Sequence, residues 1–113
     1  MMEKMTQSKQ KFDFIYNPKL DIKEPVLYVP LNYLSATEKA EYFLEANKIA
    51  AEIPSKIQQL DKQYMQLHDE LAGNDEHFFD LFEEMNQISE KICELNVLYL
   101  SIEGHFIQRD GAL

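Results

Sequence analysis

The sequence contains little cysteine and glycine and no tryptophan. A single cysteine, Cys93, excludes an internal disulfide and a zinc site built from several cysteines. Three glycines, at positions 73, 104 and 111, form no glycine-rich phosphate loop, and no serine lies between glycines as in a nucleophile elbow. No apolar run approaches about 18 residues, so we expect no membrane-spanning helix. Residues 1–16 lack the apolar segment of a signal peptide. We therefore expect a cytoplasmic protein.

Basic residues are also scarce. The 113 residues include 11 Lys and Arg against 20 Asp and Glu, which gives a net charge of −9. No basic residue lies between Lys62 and Lys91, whereas eight acidic residues do. Such a surface repels phosphate backbones, so we expect no direct nucleic-acid binding. It favours either a partner protein with a basic surface or an acidic face that only keeps the protein soluble.

Two stretches carry apolar residues at alternating spacings of three and four. The first contains Phe43, Ala46, Ala50, Ile53, Ile57, Leu60, Tyr64, Leu67 and Leu71, and the second contains Phe78, Leu81, Met85, Ile88, Ile92, Leu95, Tyr99, Ile102 and Phe106. This period is typical of helices that pack along a narrow seam. The sequence therefore predicts a mainly α protein, an antiparallel helical hairpin or small helical bundle with an N-terminal extended arm or short β-hairpin.

The helical region is expected over residues 35–108, followed by a tail over residues 109–113. Ser35 and Glu38 have the spacing of a capping box, which predicts the start of the first helix. Pro54 interrupts the first apolar stretch, and a proline inside a helix costs roughly 3 kcal/mol. We expect the first helix to be kinked or broken near Pro54.

The connection between the helices is predicted to lie near residues 72–75. Gly73 follows the first apolar stretch and suits a left-handed position at a helix end. Asn74 or Asp75 is expected to cap the second helix, and Glu76 is expected in its first turn, where the helix dipole favours an acid. So short a connection predicts antiparallel neighbouring helices.

The N-terminal third differs from the rest of the chain. We expect residues 1–11 to be disordered and residues 12–34 to form an extended arm or a short β-hairpin. The strands of that hairpin would be Phe12–Tyr16 and Val26–Val29, with a turn signal at Asn17-Pro18. An isolated two-stranded hairpin is marginal in water, so it must rest on the helices or on a partner.

The second helix carries more apolar residues than one seam requires. Val97–Leu100 is apolar on all sides, and such a segment is expected to be covered on all sides. The candidates for its cover are the N-terminal arm, a second copy of the chain and a partner, and we expect the arm. Cys93 lies beside the seam and is expected to be a buried structural thiol.

Catalytic and metal-binding patterns are few. The nearest to a metal site is the group of Glu76, His77, Asp80, Glu83 and Glu84, which lie within helical reach of one another. The Glu-x-x-His motif of carboxylate di-iron bundles is absent. We therefore expect a protein that is not an enzyme and has no cofactor, with a carboxylate metal site on the second helix as an alternative.

Residues 36–106 also resemble the small type VII-secreted helical hairpins of the WXG family. The resemblance depends on Leu71-Ala72-Gly73 at the turn and on Tyr99-Leu-Ser-Ile-Glu103, which matches a Tyr-x-x-x-acid export signal. The tryptophan of the family's turn motif is missing here. The resemblance implies a secreted helical hairpin that acts through protein contacts.

Taken together, these features predict a small acidic, non-enzymatic protein-binding module of the adaptor, inhibitor or assembly-chaperone type. A self-assembling structural protein, with two hairpins paired as a dimeric four-helix bundle, is the main alternative. The composition, rich in Lys, Asn and Ile, is typical of a bacterial or phage protein. The candidate residues for binding a protein partner are Asp75, Glu76, Asp80, Glu83, Glu84, Tyr16, Tyr28, Phe79 and Phe82.

Overall fold

The computed structural model describes residues 10–73 and 75–109, with the side chains of residues 105–109 left out. The elements in chain order are strands β1 (Phe12–Asn17) and β2 (Ile22–Leu27), a 3₁₀ turn (Leu31–Tyr33), and helices α1 (Ala36–Ala72) and α2 (Phe78–Arg109). The two helices form a hairpin, which confirms the predicted fold class. The predicted disordered segment and tail lie largely outside the described residues.

The chain divides into two compact units. The first contains the β-hairpin, the 3₁₀ turn and α1 through Ile49, together with α2 from Ile102 onward, and the second spans Ala50–Ser101.

The strands form a two-stranded antiparallel sheet. The register pairs Phe12 with Leu27 and Phe14 with Pro25, and the Tyr28 N–H donates to the Lys11 carbonyl at 2.8 Å. Because hydrogen-bonded and non-hydrogen-bonded pairs alternate, Pro25 falls at a non-hydrogen-bonded position, where its missing N–H costs no ladder bond. This is why β2 runs through Pro25, whereas the strand predicted over Val26–Val29 begins too late.

The turn of the β-hairpin is stabilised by its own polar groups. The Asn17 side-chain oxygen accepts the Lys19 N–H at 2.9 Å, and the Asp21 N–H donates to the Asn17 carbonyl at 2.8 Å. Asp21 has a φ of 55°, a left-handed conformation that Asp tolerates better than most residues. The predicted turn signal at Asn17-Pro18 therefore marks the real turn.

The β-hairpin packs on the first turns of α1. Tyr42 is fully buried, and its ring centroid lies 5.4 Å from that of Phe12 and 5.7 Å from that of Phe14. Phe43 completes the aromatic cluster at 5.4 Å from Tyr42. Leu34 is buried in the same cluster. The cluster lets a sheet that would be marginal alone fold against a helix.

The capping box is confirmed at the start of α1. The Glu38 N–H donates to Ser35 Oγ at 3.1 Å, and the Ser35 N–H donates to Glu38 Oε1 at 2.7 Å. Lys11 Nζ lies 3.0 Å from the same carboxylate oxygen, so one side chain joins the cap to the base of the β-hairpin. The hydrogen bond from the Ser35 backbone N–H is the largest influence that lowers the pKa of the Glu38 carboxyl, and the hydrogen bond from Lys11 is the next.

The apolar periodicity identifies most of the buried positions of the helices, although Tyr42, Ile49 and Leu98 are buried off the seam. Phe43, Ala46, Ala50 and Ile53 are buried on α1, and every later seam position up to Leu71 is half-buried. On α2, Met85, Leu95 and Ile102 are buried. Pro54 lies inside a single helical span and is exposed, so α1 continues through it and does not end near Ile53.

The helix connection differs from the prediction. The segment between Ala72 and Phe78 is non-helical wherever it is described, so it is longer than residues 72–75. The Leu81 N–H donates to the His77 carbonyl at 2.9 Å, which makes His77 the N-cap residue before α2 begins at Phe78. Capping by Asp75 and the first-turn position of Glu76 were therefore wrong, and Asn74 lies outside the described residues. Gly73 does not adopt the predicted left-handed conformation, and its N–H donates to the Glu70 carbonyl at 3.2 Å.

Two burial predictions for α2 are also wrong. Val97 and Leu100 are 61% and 67% exposed, so the described residues leave that side of the segment uncovered. Leu98 is the buried residue among them. Cys93 is exposed and is not a buried structural thiol. The physical reason is that Val97, Leu100 and Cys93 lie off the apolar seam of α2, on a side of the helix that is exposed.

Candidate protein-interaction surface

Three phenylalanines form an exposed cluster at the beginning of α2. The rings of Phe78 and Phe82 are stacked with centroids 6.0 Å apart, and the Phe79 ring meets Phe78 edge-on at 5.4 Å. Phe79 is 82% exposed. We call these three residues the phenylalanine cluster. It places a large apolar surface in water, which is the property of an aromatic anchor in a protein interface.

Acidic side chains surround this cluster in sequence. Two lie in the connecting loop and three in the first two turns of α2, and all five are exposed. We call them the tip carboxylates: Asp75, Glu76, Asp80, Glu83 and Glu84. Helical spacing places Glu83 one turn after Phe79. The structure thus combines seven of the nine predicted binding residues in one stretch, Asp75–Glu84.

Among residues 10–73 and 75–109, no group of three or more His, Cys, Asp or Glu side chains is placed to hold a metal ion. Glu83 and Glu84 lie three and four residues after Asp80 at the exposed start of α2. Several exposed carboxylates in one stretch attract positive charge over a long range.

The two predicted tyrosines lie elsewhere, in the unit that contains the β-hairpin. Tyr16 and Tyr28 are about half exposed, and the Tyr16 hydroxyl donates to Asp21 Oδ1 at 2.7 Å. That hydrogen bond, more than any other influence, raises the pKa of Tyr16. Tyr16 therefore supports the turn of the β-hairpin, and the structure does not associate it with the tip carboxylates.

The β-hairpin carries an open surface depression of its own. Its volume is about 330 Å³, and it is lined by Ile15, Tyr16, Asn17, Pro18, Glu24 and Val26. The lining combines two exposed or half-exposed aliphatic side chains with the Glu24 carboxylate. It contains no nucleophile paired with a base, so it offers a place for contact rather than for catalysis.

Sequence reasoning missed two features of this surface. Phe78 was assigned to the seam, but it is 40% exposed and stacks on Phe82. The exposed apolar positions of α2 also continue beyond the cluster to Val97 and Leu100, which were expected to be covered. Their spacing along the helix was the signal that could have identified a second, exposed face.

No protein-family model, curated protein or solved structure matches this chain. The described part of the chain has no helix that is both long and apolar enough to cross a membrane.

Proposed function

We propose that this protein is a small, acidic, non-enzymatic protein-binding module, of the adaptor, inhibitor or assembly-chaperone type. The observation that carries the proposal is the exposed phenylalanine cluster placed among the tip carboxylates. Interfaces obtain most of their binding energy from a few aromatic anchors, while charges around them steer the encounter and select the partner. The partner is expected to present a basic surface around an apolar pocket.

The distribution of charge along the sequence supports selectivity for a basic partner. No lysine or arginine lies between Lys62 and Lys91, so no basic side chain of that segment offsets the tip carboxylates. Attraction between exposed charges is screened by salt over about 10 Å at 0.1 M. Binding to a basic partner should therefore weaken as the salt concentration rises.

The test is capture of a stoichiometric partner from a lysate of the source organism with the complete chain as bait. The comparison is between the wild type and the double variant Asp75→Lys, Glu84→Lys. We expect the variant to lose the partner that the wild type retains. Circular dichroism of both proteins verifies that the helices remain.

A matched control separates local charge from total charge. Glu41→Lys with Glu52→Lys makes the same change in net charge at exposed positions of α1. This control should retain the partner. Equal loss in both double variants, or no loss in either, would show that the tip carboxylates do not select a partner.

A further inference from the structure

One exposed face of α2 is free of charge over most of its length. At 3.6 residues per turn, the exposed apolar side chains of this face fall within about 60° of the helix circumference and extend over about 32 Å. Asn86 and Ser89 fill the middle of the same face and are exposed. We call the apolar members the α2 stripe: Phe79, Phe82, Cys93, Val97 and Leu100.

The two edges of the α2 stripe differ in charge. Along one edge, Glu83 and Glu90 lie about 20–40° beyond the stripe, and both are exposed. Along the other edge lie Phe78 and Asn96, which carry no charge. All of these residues belong to the same compact unit. The face therefore combines apolar anchors with negative charge on one side only.

We propose that the α2 stripe is the docking surface for an amphipathic helix of another protein that carries lysine or arginine along one side of its apolar face. This inference rests on the proposed function and names the chemistry of the partner. Apolar positions three or four residues apart on the incoming helix would contact the stripe. Its basic side chains would face Glu83 and Glu90, so charge complementarity fixes the orientation of the bound helix.

A second copy of this chain fits the same stripe less well. Antiparallel pairing about the midpoint between Ser89 and Glu90 would place Phe79 against Leu100 and Phe82 against Val97 of the second copy. The same pairing would bring the two Glu90 carboxylates together at the symmetry axis, inside a complex of two chains with a net charge of −9 each. Like charges at that position oppose the dimer.

The experiment is selection of binders from a displayed library of helical peptides with one randomised face, using the full chain as target. We expect the enriched peptides to carry apolar residues at spacings of three and four, with Lys or Arg along one edge. One enriched peptide is then synthesised and its affinity measured by fluorescence anisotropy. Val97→Asp and Glu90→Lys should each weaken binding by roughly tenfold or more.

Matched variants act as controls. Leu44→Asp replaces a residue with almost the same exposure as Val97, and Glu52→Lys reverses an exposed acid on α1. Both should leave the affinity within about twofold. Enriched peptides without basic residues, equal affinity for Val97→Asp and the wild type, or selection of no helix would each overturn the proposal. A dimer mass that is lost in Val97→Asp would assign the stripe to a second copy instead.

The two proposals fail separately. If Asp75→Lys with Glu84→Lys abolishes capture of the native partner while Val97→Asp and Glu90→Lys leave it intact, the proposed function stands and the docking of a helix on the α2 stripe is wrong.

Discussion

Replacement of Tyr42 by alanine tests most directly how the β-hairpin is held on the helices. Tyr42 is fully buried, and its ring contacts those of Phe12, Phe14 and Phe43 at centroid distances of 5.4–5.7 Å. Aromatic pairs contribute roughly 0.5–1.5 kcal/mol each beyond area burial. Truncation of a buried aromatic residue to alanine costs about 3–5 kcal/mol in all. Because small domains have about 5–15 kcal/mol of stability, this loss would be a large share.

The assay is urea unfolding followed by circular dichroism, together with amide hydrogen exchange. Tyr42→Ala should lower the free energy of unfolding by about 3–5 kcal/mol. The amides of β1 and β2 should lose protection, since the sheet is marginal without its support. Tyr42→Phe is the control, because it retains the ring and should cost no more than about 1.5 kcal/mol. A loss below about 1 kcal/mol in Tyr42→Ala, with unchanged protection of the strands, would refute this packing.

Three further outcomes are expected. Ser35→Ala removes one half of the observed capping box and should lower the free energy of unfolding by about 1 kcal/mol in a urea titration, whereas no change would show that the cap is not formed in solution. Pro54→Ala should raise the free energy of unfolding by about 1–3 kcal/mol, because alanine restores a hydrogen bond in α1. A destabilised variant would contradict a helix that continues through this position. Burial raises the pKa of Tyr42 to about 12 from the usual 10.0. Stabilisation from the neutral phenol is therefore complete below pH 10.0 and is lost as the pH rises to about 12. Absorbance at the tyrosinate band should show a late-titrating group that Tyr42→Phe removes.

The helices could be predicted from the sequence because their signals are local. Alternating spacings of three and four identified the seam, and the Ser35–Glu38 spacing identified the start of α1 within one residue. The loop between the helices was harder, because several residues there can cap a helix. Asp75 and Asn74 are better capping residues than His77, yet α2 begins after His77.

Burial along α2 could not be predicted in full because it depends on contacts between residues that are far apart in sequence. The apolar content of Val97–Leu100 indicated a covered segment, but the choice of cover involves residues far apart in sequence. In the structure, Phe12 and Phe14 pack on Tyr42, and Val97 and Leu100 are exposed. Cys93 is exposed as well.

The candidate site, too, was predicted from the sequence only in part. The charge of the tip carboxylates was evident in the sequence, since acids without nearby bases stay in water. Tyr16 was predicted to contact a partner as part of the N-terminal arm, and only the structure reveals that its hydroxyl donates to Asp21 in the turn. Periodicity assigned Phe78 to the seam, yet its side chain is 40% exposed. A seam position at the end of a helix has no helical turn beyond it to complete its burial.

The salt dependence of the affinity for the captured partner tests the central claim most directly. The measurement compares the wild type with Asp75→Lys, Glu84→Lys at several sodium chloride concentrations. If the tip carboxylates steer a basic partner, the wild-type affinity falls as salt rises, and the variant binds more weakly with a shallower dependence. The same affinity and the same salt dependence for both proteins would contradict the account.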